Sequence, residues 1–310
     1  MSIGHLSSVA IPVIAWNCWV VFIAFCSNLA LLVTMIRAKN LRTVSGTLLT
    51  ILAACEVAMS VFYYLYIYGL VAKTFFTRRE CFYLTLPAQL DLHVVMAIIA
   101  VIAIDRYLSL RCRLWYKRVV KFRYMSKFLI AILSCGLIST FVMWTSINNE
   151  TVVCHMLNVP TGLAKKFWIS THFLTVLLAF ILYITLRFEV NTATGVQSLE
   201  NQLPVTKSFQ TLICAYLLGY GGGALIVFVS TGIYRDVNIP DNLIAFVDCL
   251  RSMSAVTPFF IMYRGSEAYK TELSTTISCI APTLLVKEKP EEEKLNPGEL
   301  GRSYSTIEAL

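Results

Sequence analysis

Residues 81–109 read CFYLTLPAQLDLHVVMAIIAVIAIDRYLS, a run that opens on a cysteine and closes just past Asp105-Arg106-Tyr107. It is longer than the roughly 20 apolar residues a helix needs to cross a bilayer. Its apolar character is continuous, without the alternation of a barrel strand, so the spanning structure open to it is a helix. Gln89, Asp91 and His93 interrupt it. Polar groups inside a span are costly and must face other protein, so this run predicts a polar bundle interior.

Six further runs flank it: Ala10–Ile36, Val44–Val71, Tyr124–Ser146, Phe167–Phe188, Thr206–Ile233 and Pro240–Tyr263. Composition agrees. The 310 residues are 57% hydrophobic and 14% charged, with mean hydropathy +0.69, against roughly 25% charged in a soluble protein. The expected fold is an all-α membrane protein, a bundle of seven transmembrane helices. The net charge of +8 would suit a nucleic-acid binder. The basic residues, however, fall in short gaps between runs and lack the interleaved aromatics of a single-strand binder, so no nucleic-acid partner is expected. No HExxH, phosphate loop or Ser/His/Asp order appears, so no enzyme, metal or cofactor is expected. The first run lacks a basic leader and is too long for a signal-peptide core, and is expected to stay in the mature protein.

Lysine and arginine set the orientation. With the N-terminus outside, the inner segments carry 19 basic residues and the outer segments 6. The sequon Asn149-Glu150-Thr151 falls in the second outer loop, making Asn149 a glycosylation candidate. Trp16, Trp19, Trp144 and Trp168 fall near the outer boundary, as an interfacial aromatic belt would. Eight of the ten cysteines lie in spans or on the inner side, where they read as small apolar packing. Cys81 and Cys154 face the oxidising side, and a disulfide between them would pin the second outer loop over the bundle mouth.

These features together resemble the rhodopsin-like G-protein-coupled receptors: seven spans with the N-terminus out, Cys81, a second cysteine in the next outer loop, and Asp105-Arg106-Tyr107. The 25-residue step from Cys81 to Arg106 matches that family. Ser27-Asn28-Leu29 is similar to its Gly-Asn pair. Leu52-Ala53-Ala54-Cys55-Glu56 is similar to its Leu-Ala-x-x-Asp, with Glu56 for Asp. Thr257-Pro258-Phe259-Phe260-Ile261 is similar to its Asn-Pro-x-x-Tyr, and Arg264–Leu273 looks like its short amphipathic eighth helix. Arg79-Glu80-Cys81-Phe82, and Ile104-Asp105-Arg106 followed by Trp115-Tyr116-Lys117, resemble the nematode serpentine chemoreceptors, the Srsx class above all. The chain departs from the broad pattern in several places. Span four lacks a central Trp, spans five and six lack a Pro, and Thr257 and Ile261 replace Asn and Tyr. The sodium site found near the span-two acid is in doubt with Glu56 there.

The resemblance implies a chemosensory receptor of the plasma membrane, sensory cilia included. It would turn binding of an extracellular small-molecule or peptide ligand into activation of a heterotrimeric G protein, with Asp105, Arg106 and Tyr107 as the switch and arrestin as a further partner. Residues 1–9 would be the extracellular N-terminus, 10–279 the receptor domain with its juxtamembrane helix, and 280–310 a disordered cytosolic tail. Cys279 is a palmitoylation candidate, and Arg111–Lys127 would meet both membrane lipid and the G protein.

Within the spans, Asn28, Glu56, Asp91, Asp248, Arg251 and Pro258 form the expected polar set. A charge at mid-span costs roughly 2.5–3.5 kcal/mol, so these should converge. Arg251 lies roughly 10 Å outward of Pro258 and Asp91 roughly 22 Å outward of Arg106. Asp248 and Arg251, three apart, can meet. We expect a cluster of Asp91, Asp248 and Arg251 beneath the ligand cavity, against the alternative of an ion pair that only fixes helix register. The cavity should open between spans three, five, six and seven, with Ala88, Gln89, Leu92, His93 and Arg251 as candidate lining. By the resemblance, Ala88 stands where amine receptors place an aspartate, which disfavours amine ligands. Gly221-Gly222-Gly223 is either a hinge or a close-packing site in span six. Two rival readings stay open: a seven-span transporter or channel, for which no repeat between the halves is seen, and a receptor-like protein that does not couple.

Overall fold

The computed structural model describes residues 10–38, 41, 43–71, 76–112, 116, 121–152, 154–193, 203–234 and 241–280. Nine α-helices account for most of them: α1 (Ala10–Arg37), α2 (Val44–Val71), α3 (Arg78–Arg111), α4 (Lys121–Trp144), α5 (Gly162–Ala193), α6 (Leu203–Tyr216), α7 (Gly222–Tyr234), α8 (Asp241–Gly265) and α9 (Glu267–Ile280). A π-helical turn, Leu217–Gly221, joins α6 to α7, and the two make one span. Seven spans long and apolar enough to cross a membrane result, followed by one further helix. The protein is therefore an all-α, multi-pass membrane protein with a seven-helix bundle.

Helix α3 is the axle. It packs against α2, α4, α5 and α6, while α1 closes the ring between α2 and α8. Its interior stretch, including Val95, Met96, Ile98, Ile99, Ile102 and Ala103, is fully buried. Large apolar side chains on other spans point outward instead, among them Ile130, Leu137 and Phe141 of α4 and Leu174, Leu178 and Ile181 of α5. An outward apolar surface is what lipid requires, because helices already satisfy their own backbone groups.

Of the boundaries that differ from the sequence reading, three bear on the site and the helix that follows the bundle. Helix α3 begins at Arg78, not Cys81, because Thr77 caps it. The Thr77 hydroxyl accepts from the Glu80 N–H, and the Glu80 carboxylate accepts from the Thr77 N–H. Such a capping box satisfies orphan donors at a helix start. Helix α5 starts at Gly162, whose φ of +51° suits glycine. The seventh span runs on through Gly265, so the eighth helix is Glu267–Ile280 and not Arg264–Leu273. Tyr269, fully buried, anchors that helix beside Phe259 of α8. The tail beyond residue 280 and the segment 1–9 lie outside the described residues.

Trp16, Trp19 and Trp144 are exposed to the surroundings of the bundle, as a belt would be, but Trp168 is only 2% exposed. The belt reading of Trp168 is wrong: its place on α5 turns it into the bundle, where its ring stacks with His172.

The glycines of span six do different things. A Cβ on Gly219 would overlap Ser254 and the Leu250 carbonyl of α8, so this backbone approach requires glycine. A Cβ on Gly221 would press Val176, and one on Gly223 would press Val247, while one on Gly222 meets nothing within 4 Å. Gly219→Ala is therefore expected to destabilise the protein by about 1–3 kcal/mol through overpacking. Gly222→Ala should leave thermal stability unchanged or slightly raised. Unfolding midpoints of the two purified variants in nanodiscs check the contrast.

Candidate functional site

Three polar constellations lie along the bundle. At the end opposite the disulfide, Asp105 is fully buried and saturated with donors. Its Oδ2 accepts from Arg106 Nη2 at 2.6 Å and from the Ser45 hydroxyl of α2, and its Oδ1 accepts from the Tyr116 hydroxyl at 2.7 Å. Charge-assisted bonds of this kind are the strong ones. The Arg106 guanidinium also lies over the Phe209 ring of α6, 5.4 Å from its centroid, a cation–π contact. Arg106 thus ties spans three and six through one side chain. Tyr107 stands on the partly buried side of α3, packed on the core. Burial first, then the Asp105 charge, holds the Tyr116 phenol above its ordinary range, so it keeps its proton at physiological pH. Tyr116 enters the sequence reading only through the resemblance, because its place beside Asp105 depends on tertiary structure.

Midway along the bundle, Glu56 of α2 is buried and its Oε1 accepts from the hydroxyls of Tyr216 and Tyr220 at 2.9 and 3.0 Å. These two phenols stack on one face of span six, four residues apart. Their spacing was the available signal, since a buried phenol needs an acceptor. Asp91 of α3 lies beside Cys55 and Glu56 and within electrostatic reach of Arg251. Asn28 stitches the first span to the seventh by donating to the Ala255 carbonyl at 2.7 Å. Pro258 lies inside α8, a turn beyond. Thr257, in the place of the family's Asn, donates back to the Ser254 carbonyl of its own helix.

The disulfide end is closed by a strap. Cys81 and Cys154 are bridged, with Cα atoms 5.2 Å apart. Beside the bridge, Phe76–Thr77 pairs antiparallel with Thr151–Val152, and Arg78 forms an ion pair with Glu150 at 2.7 Å. Asn149 is exposed at the same end. The chain then dives inward. The His155 Nδ1 accepts from the Leu157 N–H, which leaves its proton on Nε2, and Nε2 donates to Asp248 Oδ2 at 3.0 Å. Met156 follows, its sulfur accepting from Arg251 Nη1 at 3.6 Å.

Beneath the strap lies a small cavity with an open mouth. Spans three, five, six and seven and the strap all contribute to it. Of the residues read as lining, Leu92 and Arg251 line it, and Ala88, Gln89 and His93 do not. Gln89 turns to Thr85 on its own helix, and His93 packs edge-on against Trp168 and His172. Asp248 and Arg251 form part of the cavity wall and do not lie beneath it. Sequence reasoning missed His155, Met156, Trp168 and Tyr220. The pair His155–Asp248 depends on a loop whose path is set by long-range disulfide and strand pairing.

Arg251 stands at the junction. It lines this cavity, also lines a smaller one with Glu56 and Ser60, and faces Asp248 at 3.9 Å. Breaking a buried ion pair strands the remaining charges, so Arg251→Gln is expected to cost about 3–5 kcal/mol. Asp248→Asn should cost less, because Glu56 and Asp91 still face the guanidinium. Thermal unfolding of the purified variants tests the order.

Comparison with curated proteins finds no match. The family described as serpentine type 7TM GPCR chemoreceptor Srsx matches residues 21–277, from within the first span into α9. With so much of the bundle covered, the chain belongs to the Srsx class of serpentine seven-transmembrane GPCR chemoreceptors.

Proposed function

We propose that this chemoreceptor sits in the plasma membrane with its N-terminus outside. It binds an extracellular ligand in the cavity beneath the Cys154–Met156 strap and activates a heterotrimeric G protein at the opposite end. Nineteen basic residues on one side against six on the other support that orientation, as do an exposed sequon at Asn149 and a disulfide on the same side. Residues 1–9 then face the outside. The receptor domain is 10–279, and 280–310 form a cytosolic tail open to arrestin. Cys279, in the last turn of α9, is the acylation candidate.

The observation that carries the reading is the Asp105–Arg106 pair. Asp105 has no exposure and Arg106 is tied to it and to Phe209 of span six. This is a resting arrangement. Outward movement of the inner half of span six takes Phe209 from beneath the guanidinium and leaves Arg106 free to meet a partner. Ligand binding shifts the population toward that open form by its differential affinity for it. The basic stretch Arg111–Lys127 supplies further contact with lipid headgroups and the G protein. The π turn at Leu217–Gly221 supplies an irregular point in span six, and such turns recur at functional sites. Gly222, with open space around it, is the hinge residue free of a packing duty.

Arg106→Ala at matched surface expression is expected to abolish G-protein recruitment, both at rest and under a chemical panel. Asp105→Asn, which loosens the hold on Arg106, should raise resting recruitment several-fold. Recruitment that persists in Arg106→Ala would remove the switch from this pair.

A further inference from the structure

The cavity wall carries an opposite-charge pair held slightly too far apart. Arg251 Nη2 and Asp248 Oδ1 are separated by 3.9 Å. The two residues are 8% and 2% exposed. Asp248 Oδ2 is already engaged by His155, while Oδ1 has no hydrogen-bond partner among the described residues. A gap of this size is too long for a direct hydrogen bond, yet one oxygen atom placed between the two can reach each at about 2.8 Å. The rest of the wall is mostly apolar, with Leu92, Ile169, Ala224 and Val227 beside the rings of Trp168, His172 and Tyr220.

We infer that the ligand is an uncharged, largely apolar molecule whose head group both donates and accepts a hydrogen bond, a hydroxyl, seated between Asp248 Oδ1 and Arg251 Nη2. The inference rests on the reading of this cavity as the ligand site. The chemistry excludes the neighbouring classes one by one. An ammonium that approaches Asp248 Oδ1 meets the Arg251 guanidinium within 4 Å, and a carboxylate that approaches Arg251 meets Asp248. Either adds an uncompensated charge to a site removed from water. A ketone or an ether accepts from Arg251 but leaves the Asp248 oxygen without a donor, a costly vacancy for a buried carboxylate. A hydroxyl carries one donor and two acceptor lone pairs, and it satisfies both groups at once. Its hydrocarbon body then lies along the apolar wall.

Binding to the purified receptor in lipid nanodiscs tests this without any G protein. The probes are straight and branched alkanols of about two to five carbons, a size suited to so small a cavity. Each is paired with its methyl ether, carboxylate and amine of matching length. The ether partitions into lipid much as the alcohol does, so the difference between them reads the head group. At least one alkanol is expected to raise the unfolding midpoint as its concentration rises. Its ether should need about ten-fold or more higher concentration for the same shift, and the carboxylate and amine should give none. Ala224→Leu, which fills the cavity, should lose the shift. Val227→Phe fills it from the neighbouring wall and serves if Ala224→Leu does not fold. The inference is overturned if no alkanol raises the midpoint, or if ether or carboxylate matches the alcohol. A shift that survives the filling variants removes the cavity as the ligand site while leaving the Arg106 switch standing. Loss of recruitment in the signalling assay with this binding intact would sink coupling alone.

Discussion

An arginine buried within a membrane-spanning bundle must be neutralised by what surrounds it, and Arg251 organises the centre of this protein on that condition. Its guanidinium faces Asp248 on its own helix and lies within electrostatic reach of Glu56 and Asp91 on spans two and three. Hydrogen-bond donors hold two of these acids as well. Two phenols donate to Glu56, and the His155 ring donates to Asp248. Remove the guanidinium and each of these acids loses one attractive neighbour, leaving Glu56 its two phenols, Asp91 its Cys55 and Asp248 its His155. Spans two, three, six and seven and the outer strap are therefore held to a common point by electrostatics, in a setting where apolar packing alone gives helices little reason to choose one neighbour over another.

Span six links that point to the far end. Its tyrosines hold Glu56, Gly219 lets it press against the seventh span, and Phe209 lies under Arg106. The Tyr216 hydroxyl and the Phe209 ring lie about two turns apart on the same helix, roughly 10 Å along its axis. A shift of span six that breaks one contact therefore acts on the other. The mid-bundle network and the Asp105–Arg106 pair thus both bear on one continuous helical segment, Leu203–Tyr216.

Much of this was legible in the residues. Continuous apolar runs identified all seven spans, because the bilayer sets helix length and the hydrogen-bond demands of lipid allow few other structures. The cost of charge in a span pointed to Asp91, Asp248 and Arg251 as members of one polar interior. What escaped the sequence depended on three-dimensional register. Tyr216, Tyr220 and Trp168 are amphipathic residues that suit a membrane interface and a bundle interior equally well, and only the rotation of their helices decides between the two. Gln89 and His93 share α3 with Leu92, yet a helix turns by 100° per residue, so immediate neighbours of a lining residue look elsewhere. His155 sits in a loop between apolar runs, and only the bridge at Cys154 and the short strand pair carry it inward to Asp248.

The seventh span bears on where the switch resides. In the broader family a tyrosine near the inner end of that span takes part in opening. Here Ile261 holds the position, and Tyr263, two residues on, is 41% exposed and stacks flat against Phe259 of its own helix. Thr257 spends its hydroxyl on its own backbone. Gly265 packs so closely on Ser208 that a Cβ there would overlap it, locking the end of the seventh span to the start of the sixth. No hydroxyl of this segment among the described residues reaches toward Arg106. The groups that do reach it are Asp105 and Phe209, with Ser45 and Tyr116 holding Asp105 in place. The departures in span seven and the density of contacts around Asp105 are thus two sides of one arrangement. The side chains that hold Asp105 and Arg106 come from the second and sixth spans and from Tyr116, not from the seventh span.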